Sequence, residues 1–170
     1  MEAIELESLG TDKVGSDDTS SFDARFSMVR NRLLAICTPL VGGHEAQDVL
    51  HDTYLAGRSR YGNLRDPNAF DPWLIRIAIN RCMDRHRRGA RLLPLAPRDD
   101  ARLTSDRDAG LRELIERLPT RERTILVLHY GHGYRLQEIG KLLNLSHTNV
   151  RTIIARARQR LLRTIRESES

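Results

Sequence analysis

The chain has 170 residues, enough for one ordinary domain or two small ones. Aromatic residues make up only 5% of it, so any core must be built from Leu, Ile, Val and Ala, which suits packed helices. The formal net charge is +5, and Lys13 and Lys141 are the only lysines among 28 basic residues. This arginine excess fits a polyanionic partner and equally a GC-rich genome. No apolar run approaches the roughly 20 residues that span a bilayer, and the acidic N-terminus lacks a signal pattern, so we expect a cytoplasmic protein without membrane insertion.

Composition divides the chain into four parts. Residues 1–21 are rich in Glu, Asp, Ser, Gly and Thr, and we predict a disordered acidic tail there. Residues 22–89 and 111–166 are basic and carry helical apolar patterns. Residues 90–110, which contain prolines and many charges, are predicted to be a linker. The expected fold class is therefore all-α, with two small helical domains joined by a flexible linker, the C-terminal one a helix-turn-helix.

The first domain is predicted to hold three helices, separated by a glycine break and a loop. They run from Phe22 to about Pro39, from His44 to about Arg60 and from about Asp71 to about Arg88. Residues 61–70 form the predicted loop before the third helix.

The second predicted helix carries two acidic residues, Asp48 and Asp52, four positions apart and beside Val49 and Tyr54. Residues at this spacing share one helix face. The pattern indicates either a solvated surface or an acidic and apolar stripe that docks a basic helical partner. Both interpretations remain open on the residues alone.

The third predicted helix places polar residues on roughly one face. They are Arg76, Asn80, Asp84 and Arg87, with Arg88 flanking them. An asparagine among arginines suits recognition of exposed bases, while the arginines hold phosphate. Trp73, near the start of this helix, is assigned to the core rather than to base stacking.

The block 111–166 is predicted to contain four helices that end in a helix-turn-helix. One buried stripe with the i, i+3, i+4, i+7 spacing is formed by Leu136, Ile139, Gly140 and Leu143. Asn144 tolerates the left-handed conformation of a tight turn, and Ser146 is a good N-cap for the next helix.

The last helix separates apolar from polar residues. Its predicted buried stripe consists of Val150, Ile154, Ala157 and Leu161. Other faces of its first turns carry groups suited to base edges and phosphates, namely His147, Thr148, Asn149, Arg151 and Thr152. The arginines at positions 156, 158, 160 and 163 continue a basic surface, which is either solvated or phosphate-binding. Turn, cap, stripe and charge agree, so we favour binding in a DNA major groove.

The cysteines and histidines do not indicate a catalytic or metal site. Cys37 and Cys82 are isolated and are predicted to be buried free thiols, since neither has a CxxC or zinc spacing. The six histidines are scattered, and His129 with His132 is the best candidate metal pair, although clustered ligands are lacking. No nucleophile arrangement or phosphate loop stands out, so we expect neither an enzyme, a metal nor a cofactor.

Taken together, the two blocks resemble an extracytoplasmic-function (ECF) sigma factor of bacterial RNA polymerase, over about Phe22 to Arg166. In the first block the resemblance rests on Ala46, Asp48, Val49, Asp52, Thr53 and Tyr54, and on Phe70, Trp73, Leu74, Arg76, Ile77, Ala78, Asn80 and Asp84. In the second block it rests on Leu118, Pro119, Arg121, Glu122, Arg123, Tyr130, Gly133, Glu138, Ile139, Leu143, Ser146, Val150, Arg156, Ala157 and Arg158.

The resemblance implies a function and a set of sites. It implies binding of core RNA polymerase through Asp48, Val49, Asp52 and Tyr54. It implies recognition and melting of the −10 promoter element through Tyr61, Asn63, Arg76, Asn80, Asp84, Arg87 and Arg88. It implies reading of the −35 element through Arg135, Ser146, His147, Thr148, Asn149, Arg151, Thr152 and Arg156. An anti-sigma factor as a further partner and association with the nucleoid are implied as well.

Some positions depart from the family pattern, and one rival function remains. Gln47 stands where the family usually has an acid, and Thr148, Asn149 and Ile153 differ from the usual residues of the last helix. The −35 sequence that this chain prefers is therefore open. The rival is a stand-alone helix-turn-helix regulator, which explains residues 111–166 but neither the acidic stripe nor the Asn80 face.

Overall fold

The structure is a computed structural model that describes residues 15–92 and 106–168. These two stretches contain seven α-helices and no strand, so the all-α prediction is confirmed. The helices are α1 (Gly15–Val41), α2 (Gly43–Arg60), α3 (Phe70–Leu92), α4 (Asp106–Glu116), α5 (Thr120–Leu126), α6 (Leu136–Leu143) and α7 (His147–Ser168). Short 3-10 turns span Tyr61–Asn63 and Pro67–Ala69, and a π-helical turn, Val127–Gly131, extends α5.

Helices α1, α2 and α3 form the first domain around an aliphatic and aromatic core. Phe22, Leu33 and Leu40 of α1 are fully buried, as expected for side chains that recur on one helix face. Phe70 and Ile79 of α3 are equally buried. The predicted glycine break is confirmed, because Gly42 has φ 87°, a conformation that only glycine adopts readily. It lets the chain reverse between α1 and α2.

Helices α4 to α7 form the second domain. The buried stripe of α7 includes Val150 and Ala157, both with no exposed surface. It packs against α5 and α6, where Ile125 and Ile139 are fully buried. This arrangement leaves the opposite side of α7 at the surface.

Three helices extend beyond the predicted segment limits. Helix α1 begins at Gly15, so the last seven residues of the predicted disordered tail, 15–21, are helical. Extending an existing helix fixes few further dihedral angles per hydrogen bond, so a polar segment can join a helix that packing has already nucleated. Likewise α3 continues to Leu92 and α4 begins at Asp106, so both ends of the predicted linker are helical. Residues 1–14 of the tail and 93–105 of the linker lie outside the described residues.

The two domains contact each other. Helix α1 touches α4, α5 and the π-helical turn, and α3 touches α5 and α6. Among the described helices none is both long enough and apolar enough to cross a membrane. The candidate functional surfaces of the two domains therefore lie on one packed structure.

Candidate nucleic-acid interface

The tight turn between α6 and α7 has the predicted geometry. Asn144 adopts φ 54° and ψ 49°, the left-handed conformation that asparagine tolerates. The Leu145 N–H donates to the Gly140 carbonyl at 2.8 Å. A Cβ on residue 140 would lie 2.8 Å from the Leu145 carbonyl oxygen, closer than real Cβ atoms approach. Glycine at this position therefore lets the turn close against α6.

Side chains cap both helices of the helix-turn-helix. The Arg135 N–H donates to the Glu138 carboxylate at 2.7 Å, one half of a capping box at the start of α6. At the start of α7 the Asn149 N–H donates to the Ser146 hydroxyl at 3.2 Å. Ser146 is therefore an N-cap, as predicted, and its main task is to begin the helix.

The residues predicted to read the −35 element lie at the surface. Exposed side chains along the start of α7 and beside it belong to Arg135, Ser146, His147, Thr148, Asn149, Arg151, Thr152 and Arg156. The Thr152 hydroxyl donates back to the Thr148 carbonyl at 3.0 Å. All eight are accessible to a large ligand, and their DNA contacts stay a prediction.

Two further surface residues, both on α6, lie beside the start of α7. Gln137 and Lys141 of α6 are exposed and line a shallow depression together with Ser146 and His147. A lysine ammonium beside a helix N-terminus suits a phosphate group. Sequence reasoning assigned α6 only its buried stripe and missed this pair. Their spacing of four residues, which places them on one face of α6 outside that stripe, was the available signal.

One arginine of the predicted basic surface points elsewhere. The Arg160 Nε lies 3.3 Å from the Glu122 carboxylate of α5, whose side chain is only 11% exposed. Helical geometry turns position 160 about half a revolution away from Arg151. Arg160 therefore contributes an ion pair within the second domain, and its phosphate contact stays a prediction.

The polar face predicted on α3 is present, and part of it is occupied. Asn80 and Arg88 are exposed, while the Arg87 guanidinium pairs with the Asp84 carboxylate. The Arg76 guanidinium donates to the Lys141 carbonyl of α6 at 2.7 Å. The helix-turn-helix therefore binds Arg76, one of the residues predicted to contact the −10 element.

The loop before α3 contributes one aromatic residue, Tyr61, which packs against the core of the first domain. Tyr61 is half-buried, with its ring centroid 5.3 Å from that of Phe22 and 5.8 Å from that of Phe70. Its hydroxyl lies 3.1 Å from the Ser21 hydroxyl. Asn63, in contrast, is exposed. The ring of Tyr61 is thus held by packing, and Asn63 is the freer of the two predicted −10 residues in this loop.

The two predicted docking carboxylates share one arginine. Arg85 of α3 lies 3.6 Å from the Asp48 carboxylate and 3.2 Å from the Asp52 carboxylate. The side chains of both acids stay about half exposed, at 55% and 43%. Arg85 holds them in place and offsets part of their charge. Leu55, 52% exposed, adds apolar surface on the same helix.

The other two predicted docking residues belong to the first domain's interior. Val49 has no exposed surface, and Tyr54 is half-buried with its hydroxyl donating to the Asp23 carboxylate at 2.8 Å. Val49 therefore offers no surface for a polymerase contact in this structure, and its assignment as a docking residue is wrong, whereas the half-buried Tyr54 stays a predicted contact. The reason is helical geometry, because adjacent positions on a helix point about 100° apart and Val49 turns inward beside Asp48.

Cys37 and Cys82 are buried free thiols, as predicted. Their mutual hydrogen bond and then burial raise the pKa of the Cys82 thiol above its ordinary value, which keeps it unreactive. Within residues 15–92 and 106–168 no group of three His, Cys, Asp or Glu side chains converges as a metal site would require.

Two family models match the chain, one in each domain. The model described as Sigma-70 region 2 matches residues 26–92, and the one described as Sigma-70, region 4 matches residues 109–161. The chain is also 33% identical to the ECF RNA polymerase sigma factor SigM of Mycobacterium tuberculosis over 127 residues, 71% of this chain. The chain belongs to the ECF group of sigma-70 factors. It spans 64% of the length of SigM.

Further similarities cover more of this ECF chain. It is 25% identical to SigW of Bacillus subtilis over 176 residues, 91% of this chain and 94% of SigW. The structure of CnrH in complex with the cytosolic domain of CnrY has a TM-score of 0.63 at 26% identity, covering 92% of this chain and 96% of that one. RpoE in complex with the anti-sigma factor NepR, from Bartonella quintana, has a TM-score of 0.68 at 16% identity. That alignment covers 86% of this chain and 98% of RpoE and shows a shared fold.

Proposed function

We propose that this ECF chain binds core RNA polymerase and directs it to specific promoters, melting the −10 element and reading the −35 element. The observation that carries the proposal is the pairing of an exposed, capped helix-turn-helix with a first domain whose α3 presents Asn80 among arginines. Both partners of such a protein are in the bacterial cytoplasm, so the proposal places it at the nucleoid. The polymerase makes the phosphodiester bonds, so this chain needs no catalytic group.

The −35 element would meet the start of α7. His147, Asn149 and Arg151 project from the first turns, where side chains of a recognition helix reach base edges in the major groove. Lys141 and the exposed Arg156 lie where they can contact the flanking phosphates. Sequence choice would thus come from the first two turns and affinity from the basic groups around them.

The −10 element would meet the first domain. Asn80 can donate and accept hydrogen bonds to the edge of an unpaired base, because its amide carries both kinds of group. The exposed arginines Arg76 and Arg88 lie on the same helix and suit the phosphate backbone. Tyr61 and the exposed Asn63 border this surface from the preceding loop.

Core polymerase would dock on α2. Asp48 and Asp52 present a fixed pair of carboxylates, and Leu55 provides apolar area next to them. Arg85 positions both acids, while Val49 and Tyr54 support the helix from inside the first domain. A basic and partly apolar helix is the complementary surface.

We also propose that an anti-sigma protein regulates this chain. RpoE and CnrH, which it resembles, are described in complexes with NepR and with the cytosolic domain of CnrY. The chain has exposed apolar groups on both domains, among them Met28 at 85% and Leu162 at 55% exposure. Such groups provide attachment points for a partner that spans the two domains.

The decisive experiment is transcription in vitro with purified core polymerase and a pool of genomic promoters. We expect new transcripts that depend on the chain. Arg151→Ala should weaken binding to duplex −35 DNA by roughly 1–3 kcal/mol. Asn80→Ala should instead reduce permanganate-detected melting and leave duplex binding unchanged, so each variant is the control for the other.

The rival function makes the opposite prediction. A stand-alone helix-turn-helix regulator would bind duplex DNA tightly without polymerase and would add no transcript to core polymerase. That result would overturn the proposed function. Equal losses of melting and duplex binding in Asn80→Ala would remove its assignment to the −10 element.

A further inference from the structure

The loop between α2 and α3, residues 61–69, is a surface segment whose local bonds do not fix its place on the first domain. It contains two short 3-10 turns, Tyr61–Asn63 and Pro67–Ala69, and most of its side chains are exposed. The turns are closed by bonds of short range, such as that from the Asn68 N–H to the Asp66 carboxylate at 2.9 Å. Bonds of this kind set the shape of a turn. The position of the loop therefore depends on contacts from other elements.

Two residues of α1 contact the two turns of this loop. Ser21 and Arg25 are four positions apart, so they share one face of α1. The Ser21 hydroxyl lies 3.1 Å from the Tyr61 hydroxyl in the first turn. The Arg25 guanidinium donates to the Pro67 carbonyl in the second turn. One face of α1 thus holds the loop at both of its turns.

The Arg25 guanidinium makes a second contact at the start of α3. Its Cζ atom lies 4.3 Å from the centroid of the Phe70 ring, and Phe70 is the first residue of that helix. A planar guanidinium can lie over an aromatic ring and still donate a hydrogen bond. The Pro67 carbonyl also accepts the Phe70 N–H, which its two lone pairs allow. Arg25 therefore joins the end of the loop and the beginning of α3 to α1.

The same loop carries Asn63, which is predicted to contact the −10 element. Its side chain is exposed at the end of the first turn, and its amide can both donate and accept hydrogen bonds to the edge of an unpaired base. Hydrogen bonds weaken steeply when their geometry is lost, so a selective contact needs a side chain that is held in place. How firmly the loop is attached therefore bears on which bases Asn63 accepts.

We propose that Arg25 is a positioning residue for base selection, which fixes the loop 61–69 so that Asn63 meets an unpaired −10 base in one geometry. The guanidinium acts through the Pro67 carbonyl and the Phe70 ring, and not by a contact of its own with the DNA. The selection of a base rests on the proposed function, whereas the attachment of the loop concerns the first domain alone.

The attachment is tested by hydrogen–deuterium exchange of the full chain, without polymerase or DNA. Arg25→Gln should speed exchange in the peptide that covers residues 61–69 roughly tenfold, the size expected for the loss of a hydrogen bond to a charged group. Arg25→Lys keeps the charge and a donor but not the planar group, so it should give an intermediate rate. The control is Arg30→Gln, an exposed arginine of the same helix, which should change nothing.

Base selection is measured on the chain assembled with core polymerase. The probe is a pool of short single-stranded DNA with random positions, and the bound fraction is sequenced. The position that Asn63 reads is the one whose base preference disappears in Asn63→Ala. Arg25→Gln should lower the preference at that position at least about fivefold, the value of one good base contact, and leave the other positions unchanged. Added to Asn63→Ala, it should cause no further loss, because both changes affect the same contact.

Two exchange results would overturn the attachment. One is an unchanged exchange rate of the loop in Arg25→Gln. The other is faster exchange throughout α2 and α3 as well, because Arg25 would then stabilise the whole first domain and not position this loop.

The DNA results separate positioning from other roles. Faster loop exchange with an unchanged base preference, or a pool in which Asn63→Ala alters no preference, overturns the role in selection. Equal weakening for every sequence, with a salt-dependence slope lower by about 1, would make Arg25 a direct phosphate contact and overturn its positioning role. Failure of the proposed function is read separately, from the absence of transcripts with core polymerase, and leaves the exchange result standing.

Discussion

At the scale of single residues, Arg160 shows how a partner changes the role of a charge. Its guanidinium pairs with the mostly buried Glu122 carboxylate. Removing one partner of such a pair leaves the other desolvated and unpaired. We expect Arg160→Ala to lower the free energy of unfolding by about 1–3 kcal/mol in urea denaturation.

The matched control is Arg158→Ala, an exposed arginine two positions earlier, which should stay within about 0.5 kcal/mol. If Arg160 instead held phosphate, its removal would lower the salt dependence of DNA binding by a slope of about 1 and leave stability unchanged. Sequence reasoning could count these arginines and place them on α7. It could not see Glu122, because the two positions meet only after α5 and α7 pack.

At the scale of elements, the closing of the helix-turn-helix depends on Gly140. Gly140→Ala would improve helix propensity by up to about 1 kcal/mol, but its Cβ would press on the Leu145 backbone. The carbonyl cannot move away without disturbing the Leu145 N–H bond to residue 140. We expect a net loss of about 1–3 kcal/mol in unfolding free energy, with weaker duplex binding.

Gly131→Ala is the control for this substitution, because nothing lies within 4 Å of a Cβ there and its φ is not positive. Wild-type stability in Gly140→Ala would contradict the tight approach.

The helix-turn-helix was predictable from local signals alone, since spacing, Asn144 and Ser146 act within a few residues of each other. The start of α1 at Gly15 was not, because packing of Phe22 favours a helix through a polar segment with no pattern of its own.

At the scale of the whole molecule, His132 makes the closed form, in which the two domains are packed together, sensitive to pH. Burial between the domains, with the positive charge of Arg32, lowers the pKa of His132 although the Ala35 carbonyl opposes this. Above the ordinary histidine pKa the ring is neutral in both forms, so pH has no effect. Below it the open form takes up a proton that the closed form resists, and closure weakens.

We therefore expect the closed population to fall between about pH 7.5 and about pH 5.5, measured as the distance between nitroxide labels on the exposed positions Ser59→Cys and Gln159→Cys. His132→Gln, whose polar side chain does not titrate, should flatten this dependence. A parent chain whose distances do not change with pH would contradict the assignment to His132.

The sequence by itself determined the helices, the helix-turn-helix and the order of the two domains. These depend on periodicity, caps and turn residues, which act over a few positions. Only the tertiary structure decided that Val49 and Tyr54 support the first domain, that Arg85 holds Asp48 and Asp52, and that the domains meet at the end of α1. Each of these joins residues far apart in the chain, and no local pattern records which side chains packing brings together.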